Sequence, residues 1–128
     1  MATATGQVKD HRNLVPIGRF IESSSPNGIL MVMNLFIDSA KLDEYVKVVT
    51  PVVKKMRANA ECLFCEVSVN PHDKGHVRVL HGWTRDSAWF RDNIETQPWF
   101  GEYVQALVGM KDPNRQRIIE HFDRIIID

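Results

Sequence analysis

The stretch CLFCEVSVNPHDKGHVRVLHGW, residues 62–83, decides the fold because it contains two alternating segments joined by turn-forming residues. Apolar side chains recur at every second position in Cys62–Val69 and again in His76–Trp83, which is the period of a β-strand. Between them, NPHDKG at 70–75 predicts a six-residue turn. The stretch therefore predicts a β-hairpin, in which His81 shares one face with the alternate valines and the tryptophan of its strand.

Elements on both sides of the hairpin complete a βαββαβ order. Upstream, the apolar run Ile29–Ile37 predicts a largely buried strand. The spacing of apolar residues from Leu42 to Met56 predicts an amphipathic helix, which Pro51 should kink. Downstream, the pattern predicts a second helix that Pro98 interrupts and a last strand from about 116 to 127. This order is typical of an α+β, ferredoxin-like domain with a four-stranded antiparallel sheet and two helices on one face.

The length of 128 residues is sufficient for one domain. Residues 1–28 are polar and interrupted by glycine and proline, so we expect an N-terminal arm, with an edge strand at 17–21, before a domain at 29–128. The predicted strands are apolar on both faces, whereas the helices cover only one. A second copy of the sheet is the simplest cover for the other face, so we expect a homodimer that closes into an α/β barrel.

Composition excludes several classes of partner. Sixteen Lys and Arg balance sixteen Asp and Glu, so the chain has no basic surface for nucleic acid or lipid. No apolar run approaches the ~20 residues that span a bilayer, and no secretory signal is recognisable, so we expect a cytoplasmic protein. Cys62 and Cys65 are expected to point to opposite faces of their strand, and without further ligand motifs we expect no metal site.

Three motifs resemble the antibiotic biosynthesis monooxygenase (ABM) family of small dimeric α/β-barrel proteins. The first combines PVV at 51–53 with ECLFCEV at 61–67. The second is VLHGWTRDSAW at 79–89, and the third is TQPWF at 96–100. In this order and spacing they extend the resemblance over residues 29–127, and it implies the same fold.

The resemblance also implies an activity that needs no cofactor. The best-known members resemble anthrone and quinol oxygenases, in which the substrate anion itself reduces O₂ and the protein supplies desolvation, orientation and a proton acceptor. This chain departs from them at Val79, four residues before Trp83, where those oxygenases place an Asn. Asn93 and Trp99 stand where many members have histidines, and Val104 stands where the haem-degrading branch binds iron, so we expect no haem cleavage.

Two polar residues are the candidate catalytic groups. His81 is the predicted base, because histidine exchanges protons near neutral pH. Asn34, in the first strand beside alternate apolar residues, is predicted to donate a hydrogen bond to a substrate oxygen. Each also has a structural interpretation: His81 as a core or interface histidine, and Asn34 as a hydrogen-bonded amide at the dimer seam.

Four further side chains are predicted to contact the substrate. Trp83 and Trp89 are expected to form aromatic walls, Phe36 to line the site, and His121 to be a reserve base. The predicted function is a cofactor-independent monooxygenase that oxidises a small phenolic, quinol or polyketide-like aromatic substrate with O₂. The alternatives are a non-oxidative isomerase on the same scaffold and a non-catalytic dimer that binds a small ligand.

Overall fold

The computed structural model describes residues 25–128. The first 24 positions of the predicted arm, including the edge strand expected at 17–21, lie outside the described residues. In chain order the elements are β1 (Ile29–Phe36), α1 (Leu42–Arg57), β2 (Cys62–Asn70), β3 (Asp73–Trp83), α2 (Ser87–Asn93), α3 (Pro98–Met110) and β4 (Ile118–Asp123).

The four strands form one antiparallel sheet in the order β2-β3-β1-β4. This confirms the predicted α+β, ferredoxin-like arrangement. The helices bury one side of the sheet, because the apolar stripe of α1 joins the same core as the strand residues. That stripe consists of Tyr45, Val49, Val52, Val53 and Met56.

The strand register separates two faces. On the helix-facing side, alternate residues of β1 from Ile29 to Leu35 are at most 7 % exposed. Met31 is paired with His81, and Ile29 is paired with Trp83, so these four side chains share that side. The remaining residues of β1 point to the opposite side, which we term the open face. It includes Ile118 and Phe122 of β4, each about half exposed.

Two local features differ from the sequence expectation. The hairpin turn contains two residues, 71–72, because β2 runs to Asn70 and β3 begins at Asp73. A register shift lies between Cys62 and Phe64, and Leu63 is 45 % exposed instead of sharing the inner face with Cys65. An extra residue in one strand of a pair produces such a bulge and reverses the alternation on one side of it.

The helices begin and end largely where their residue types favour it. The helix α1 continues through Pro51, α2 is capped by the Asp86 carboxylate, and α3 begins at Pro98, where a missing N–H costs nothing. The strand β4 is shorter than predicted and ends at Asp123. None of the helices within residues 25–128 is long and apolar enough to cross a membrane.

Candidate active site

A hydrogen-bonded histidine–tryptophan pair lies between the sheet and the helices. Trp83 Nε1 donates to His81 Nδ1 over 2.7 Å, and both side chains are 0 % exposed. Because Nδ1 accepts this bond, the ring proton of the neutral imidazole is on Nε2. That nitrogen lies 3.4 Å from the Met33 sulfur, which is a weak acceptor.

Burial determines the charge of the histidine. It lowers the pKa of His81 from 6.5 to about 4, because the imidazolium form loses its hydration. At neutral pH the ring is therefore uncharged. A neutral imidazole has one proton-accepting nitrogen, and here Trp83 occupies it.

Trp83 belongs to a continuous set of contacting aromatic rings that lies around His81. We call this set the aromatic layer. Trp83 contacts Trp89 and Phe90 with ring centroids 5.7 and 5.2 Å apart, and His81 stacks on Phe90 at 5.5 Å. From Phe90 the contacts continue through Phe100 to Tyr103 over 6.2 and 6.3 Å. The outer end is partly exposed, where the Arg85 guanidinium lies 5.6 Å from the Trp89 ring. The layer consists of Trp83, Trp89, Phe90, Phe100, Tyr103 and Tyr45.

Two tyrosines place the remaining polar atoms in the layer. The hydroxyls of Tyr45 on α1 and Tyr103 on α3 lie 2.9 Å apart. Burial raises the pKa of both hydroxyls well above the ordinary value. Both tyrosines lie near Cys65, the β2 partner of His81, so the tyrosine pair lies over the same part of the sheet as the histidine.

The structure does not bring the six predicted site residues together. His81, Trp83 and Trp89 lie in or beside the aromatic layer, and His121 is on the same side of the sheet because it pairs with Met31. Asn34 and Phe36 lie on the open face. One substrate within one chain therefore cannot contact both His81 and Asn34. The prediction that these two residues act together in one site is wrong.

Asn34 belongs to a polar cluster on the open face. Its Oδ1 accepts hydrogen bonds from His76 Nε2 at 2.8 Å and Arg78 Nε at 3.1 Å. The Phe36 ring lies between the His76 ring, 4.8 Å away, and the Arg115 guanidinium, 4.6 Å away. These contacts agree with the structural interpretation of Asn34 as a hydrogen-bonded amide.

The two cysteines share the helix-facing side, contrary to the expectation from simple alternation. Cys62 pairs with Trp83 and Cys65 with His81, because the bulge at Leu63 restores the same side three residues later. Burial raises the pKa of Cys65 to about 11, so its thiol stays protonated. Within residues 25–128, no three metal-ligating side chains lie close enough together to hold a metal ion.

Sequence reasoning missed the two tyrosines and Phe90 as parts of the site. Tyr45 is visible in the sequence only as a member of the apolar stripe of α1. Its partner hydroxyl is 58 positions away, and single-sequence periodicity carries no signal for a contact between two helices. A tyrosine on a buried stripe does indicate that its hydroxyl needs a partner.

Comparison with known proteins finds similarity in structure. No protein-family model matches the sequence, and no curated protein matches it. A crystal structure named antibiotic biosynthesis monooxygenase matches with a TM-score of 0.66 and 17 % identity, over 77 % of this chain and 99 % of that chain. A Caulobacter crescentus protein provisionally given the same name matches with a TM-score of 0.69 and 20 % identity, over 80 % and 94 %. A conserved Methanosarcina mazei protein matches with a TM-score of 0.67 and 14 % identity, over 80 % and 97 %.

These similarities define the class of structure. The chain has the ferredoxin-like fold of proteins named antibiotic biosynthesis monooxygenase, and the resemblance seen in the sequence motifs is confirmed at the level of the fold. At identities of 20 % or less the likeness concerns the fold, which hosts several chemistries.

Proposed function

We propose that this protein is a cofactor-independent monooxygenase that oxidises a small phenolic, quinol or polyketide-like aromatic compound with O₂. The observation that carries the proposal is the buried His81–Trp83 pair inside the aromatic layer. Aromatic rings are suited to contact a flat aromatic substrate, and the imidazole is the side chain among them that is suited to accepting a proton near neutral pH.

In the proposed mechanism, the substrate hydroxyl or acidic C–H displaces the indole N–H from His81 Nδ1, and this nitrogen takes the proton. Burial disfavours an isolated imidazolium at His81, but the substrate anion that forms beside it favours the charged ring. The released Trp83 N–H then donates to the negative substrate oxygen. Trp89 forms the outer wall.

Electron and atom balance require only O₂ as oxidant. The substrate anion transfers one electron to O₂, and the resulting radical combines with superoxide to form a C–O bond. The peroxide takes the proton from the His81 imidazolium and loses water. For an anthrone, one oxygen atom becomes the new carbonyl and the other leaves as water together with the two hydrogens of the oxidised methylene.

We further propose that the protein acts as a homodimer through its open face. Leu30, Val32 and Leu80 lie on this face together with the half-exposed Ile118 and Phe122, and no helix within residues 25–128 packs on it. The apolar part of this face, which also carries Arg78 and Glu120, favours a second sheet as its cover. Asn34 then contributes to the dimer seam, and His121 remains a reserve base beside Met31.

The deciding experiment measures oxygen uptake by the metal-stripped protein with anthrones, naphthoquinols and catechols. The expected result is a product that carries one ¹⁸O atom from ¹⁸O₂. His81→Gln should abolish this product, because glutamine does not titrate. The matched control His72→Gln removes an exposed histidine of the β2–β3 turn and should leave uptake unchanged.

Two outcomes would overturn the proposal. A product of unchanged mass that forms without O₂ would identify an isomerase. Ligand binding without turnover across the whole panel would identify a binding protein.

A further inference from the structure

The Tyr45–Tyr103 pair has more hydrogen-bond donors than its own contact uses. Each hydroxyl has one proton, and the two share a single hydrogen bond of 2.9 Å. Within residues 25–128, neither hydroxyl donates to any other group. Tyr45 is 0 % and Tyr103 6 % exposed, so the described part of the chain leaves one buried O–H of this pair without an acceptor. Leaving such a donor unsatisfied is costly, and its position therefore points to a ligand oxygen.

The pair offers a neutral donor at physiological pH. Burial raises both pKa values, so neither hydroxyl ionises near neutrality. A protonated phenol donates to a carbonyl or an oxyanion. The matching ligand group is therefore an acceptor oxygen. Because the Phe100 ring packs against the Tyr103 ring beside these hydroxyls, the rest of the ligand should be largely apolar.

The pair lies at the inner end of the aromatic layer. The ring contacts run from Trp89 at the partly exposed end through Trp83, Phe90 and Phe100 to Tyr103. The His81–Trp83 pair lies before Phe90 in this series. A flat molecule in the layer would therefore meet the histidine at one position and the tyrosine hydroxyls at another.

We propose that Tyr45 and Tyr103 bind the ring oxygen of an aromatic ketone, or of the corresponding enolate, with the free hydroxyl proton. This inference rests on the proposed function for its substrate class. When His81 removes a proton from an anthrone-like carbon, the negative charge delocalises onto the oxygen at the far side of the ring. A preorganised O–H donor at that oxygen stabilises the anion as it forms.

The test compares binding of two shape-matched probes, 1-tetralone and tetralin, by calorimetry. They differ in one carbonyl, and neither probe is a phenol or a quinol. Tyr45→Phe and Tyr103→Phe should weaken tetralone binding about fivefold to tenfold, the loss expected for one hydrogen bond, and tetralin binding less than twofold. The control Thr50→Val removes an exposed hydroxyl from the same helix and should change neither.

The infrared carbonyl band of bound tetralone supplies a readout that a merely structural role would not move. In the wild type the band should lie at lower frequency than in the double variant Tyr45→Phe/Tyr103→Phe. An unchanged band, equal losses for both probes, or no binding of either probe to the wild type would overturn the inference. If the protein takes up no oxygen but the tyrosine variants still weaken tetralone binding more than tetralin binding, the oxygenase proposal is refuted and the tyrosine site is supported.

Discussion

The indole of Trp83 donates its N–H to Nδ1 of His81 across 2.7 Å, at two positions separated by one residue in β3. Both side chains point to the helices because residues i and i+2 of a strand share a face. The bond satisfies two buried polar atoms at once and holds the imidazole in the Nε2–H tautomer. Any proton that His81 accepts at Nδ1 must therefore first displace Trp83.

The buried imidazole makes stability depend on pH. Above the ordinary pKa of 6.5, His81 is neutral in both the folded and unfolded states and contributes no pH dependence. Between 6.5 and about 4, the unfolded chain binds the proton and the folded chain does not, so the free energy of unfolding falls as pH falls. The loss should be roughly 3 kcal/mol and should level off below the folded pKa.

Urea unfolding at a series of pH values measures this effect. His81→Gln should remove it, so the difference in free energy between wild type and variant should change across the same pH window. His72→Gln should retain the wild-type profile, because it leaves His81 in place. A constant difference between wild type and His81→Gln would contradict a depressed pKa for this histidine.

The hydrogen bond between the pair should appear in a double-mutant cycle. Trp83→Phe leaves Nδ1 without its donor and His81→Phe leaves the indole N–H without its acceptor, each at a cost of about 1–3 kcal/mol in addition to lost packing. The double variant removes both polar groups and should be more stable than the sum of the two single effects by about 1 kcal/mol or more. Additive effects in denaturant unfolding would refute the bond, and a control cycle of Trp83→Phe with Val46→Ala should be additive.

Alternation predicted correctly that His81 and Trp83 share a face, because strand period alone decides that relationship. It also predicted that Asn34 shares a face with Leu30 and Val32. What alternation could not decide is which face the helices cover, since β1 is apolar on both sides. The joint assignment of His81 and Asn34 therefore depended on a choice that only the register of β1 against β3 resolves.

Two other features escaped prediction for different physical reasons. The bulge at Leu63 shifts the alternation of inward and outward side chains by one residue. The hydrophobic pattern of CLFCEV contains no signal for this shift. The Tyr45–Tyr103 contact depends on how α1 and α3 pack, which follows from tertiary structure and not from either helix alone.

The open face should be the dimer contact. Leu80 lies near the centre of this face on β3, where it pairs with Val32. Leu80→Arg would bury a long, charged side chain in the seam. Even beside Glu66, its partner in β2, its desolvation and its bulk should weaken dimerisation roughly tenfold or more. The control Val46→Arg adds the same charge at a half-exposed position on α1.

Light scattering after size exclusion should give a dimer mass for the wild type and Val46→Arg, and a monomer mass for Leu80→Arg. A dimer that survives Leu80→Arg, or a wild type that is monomeric, would refute the proposed contact face.

Two glycine-to-alanine substitutions should change stability in opposite directions. Gly28 has a φ of +90°, and a Cβ there would clash with the carbonyl oxygen of Trp83, so Gly28→Ala should lower the free energy of unfolding by roughly 2 kcal/mol or more. Gly101 lies inside α3 with no atom within 4 Å of an added Cβ. Gly101→Ala should therefore raise the free energy of unfolding by about 0.5–1 kcal/mol, because alanine loses less backbone entropy in a helix. Urea midpoints of both variants check this, and equal effects of the two would contradict the close approach of Gly28 to the end of β3.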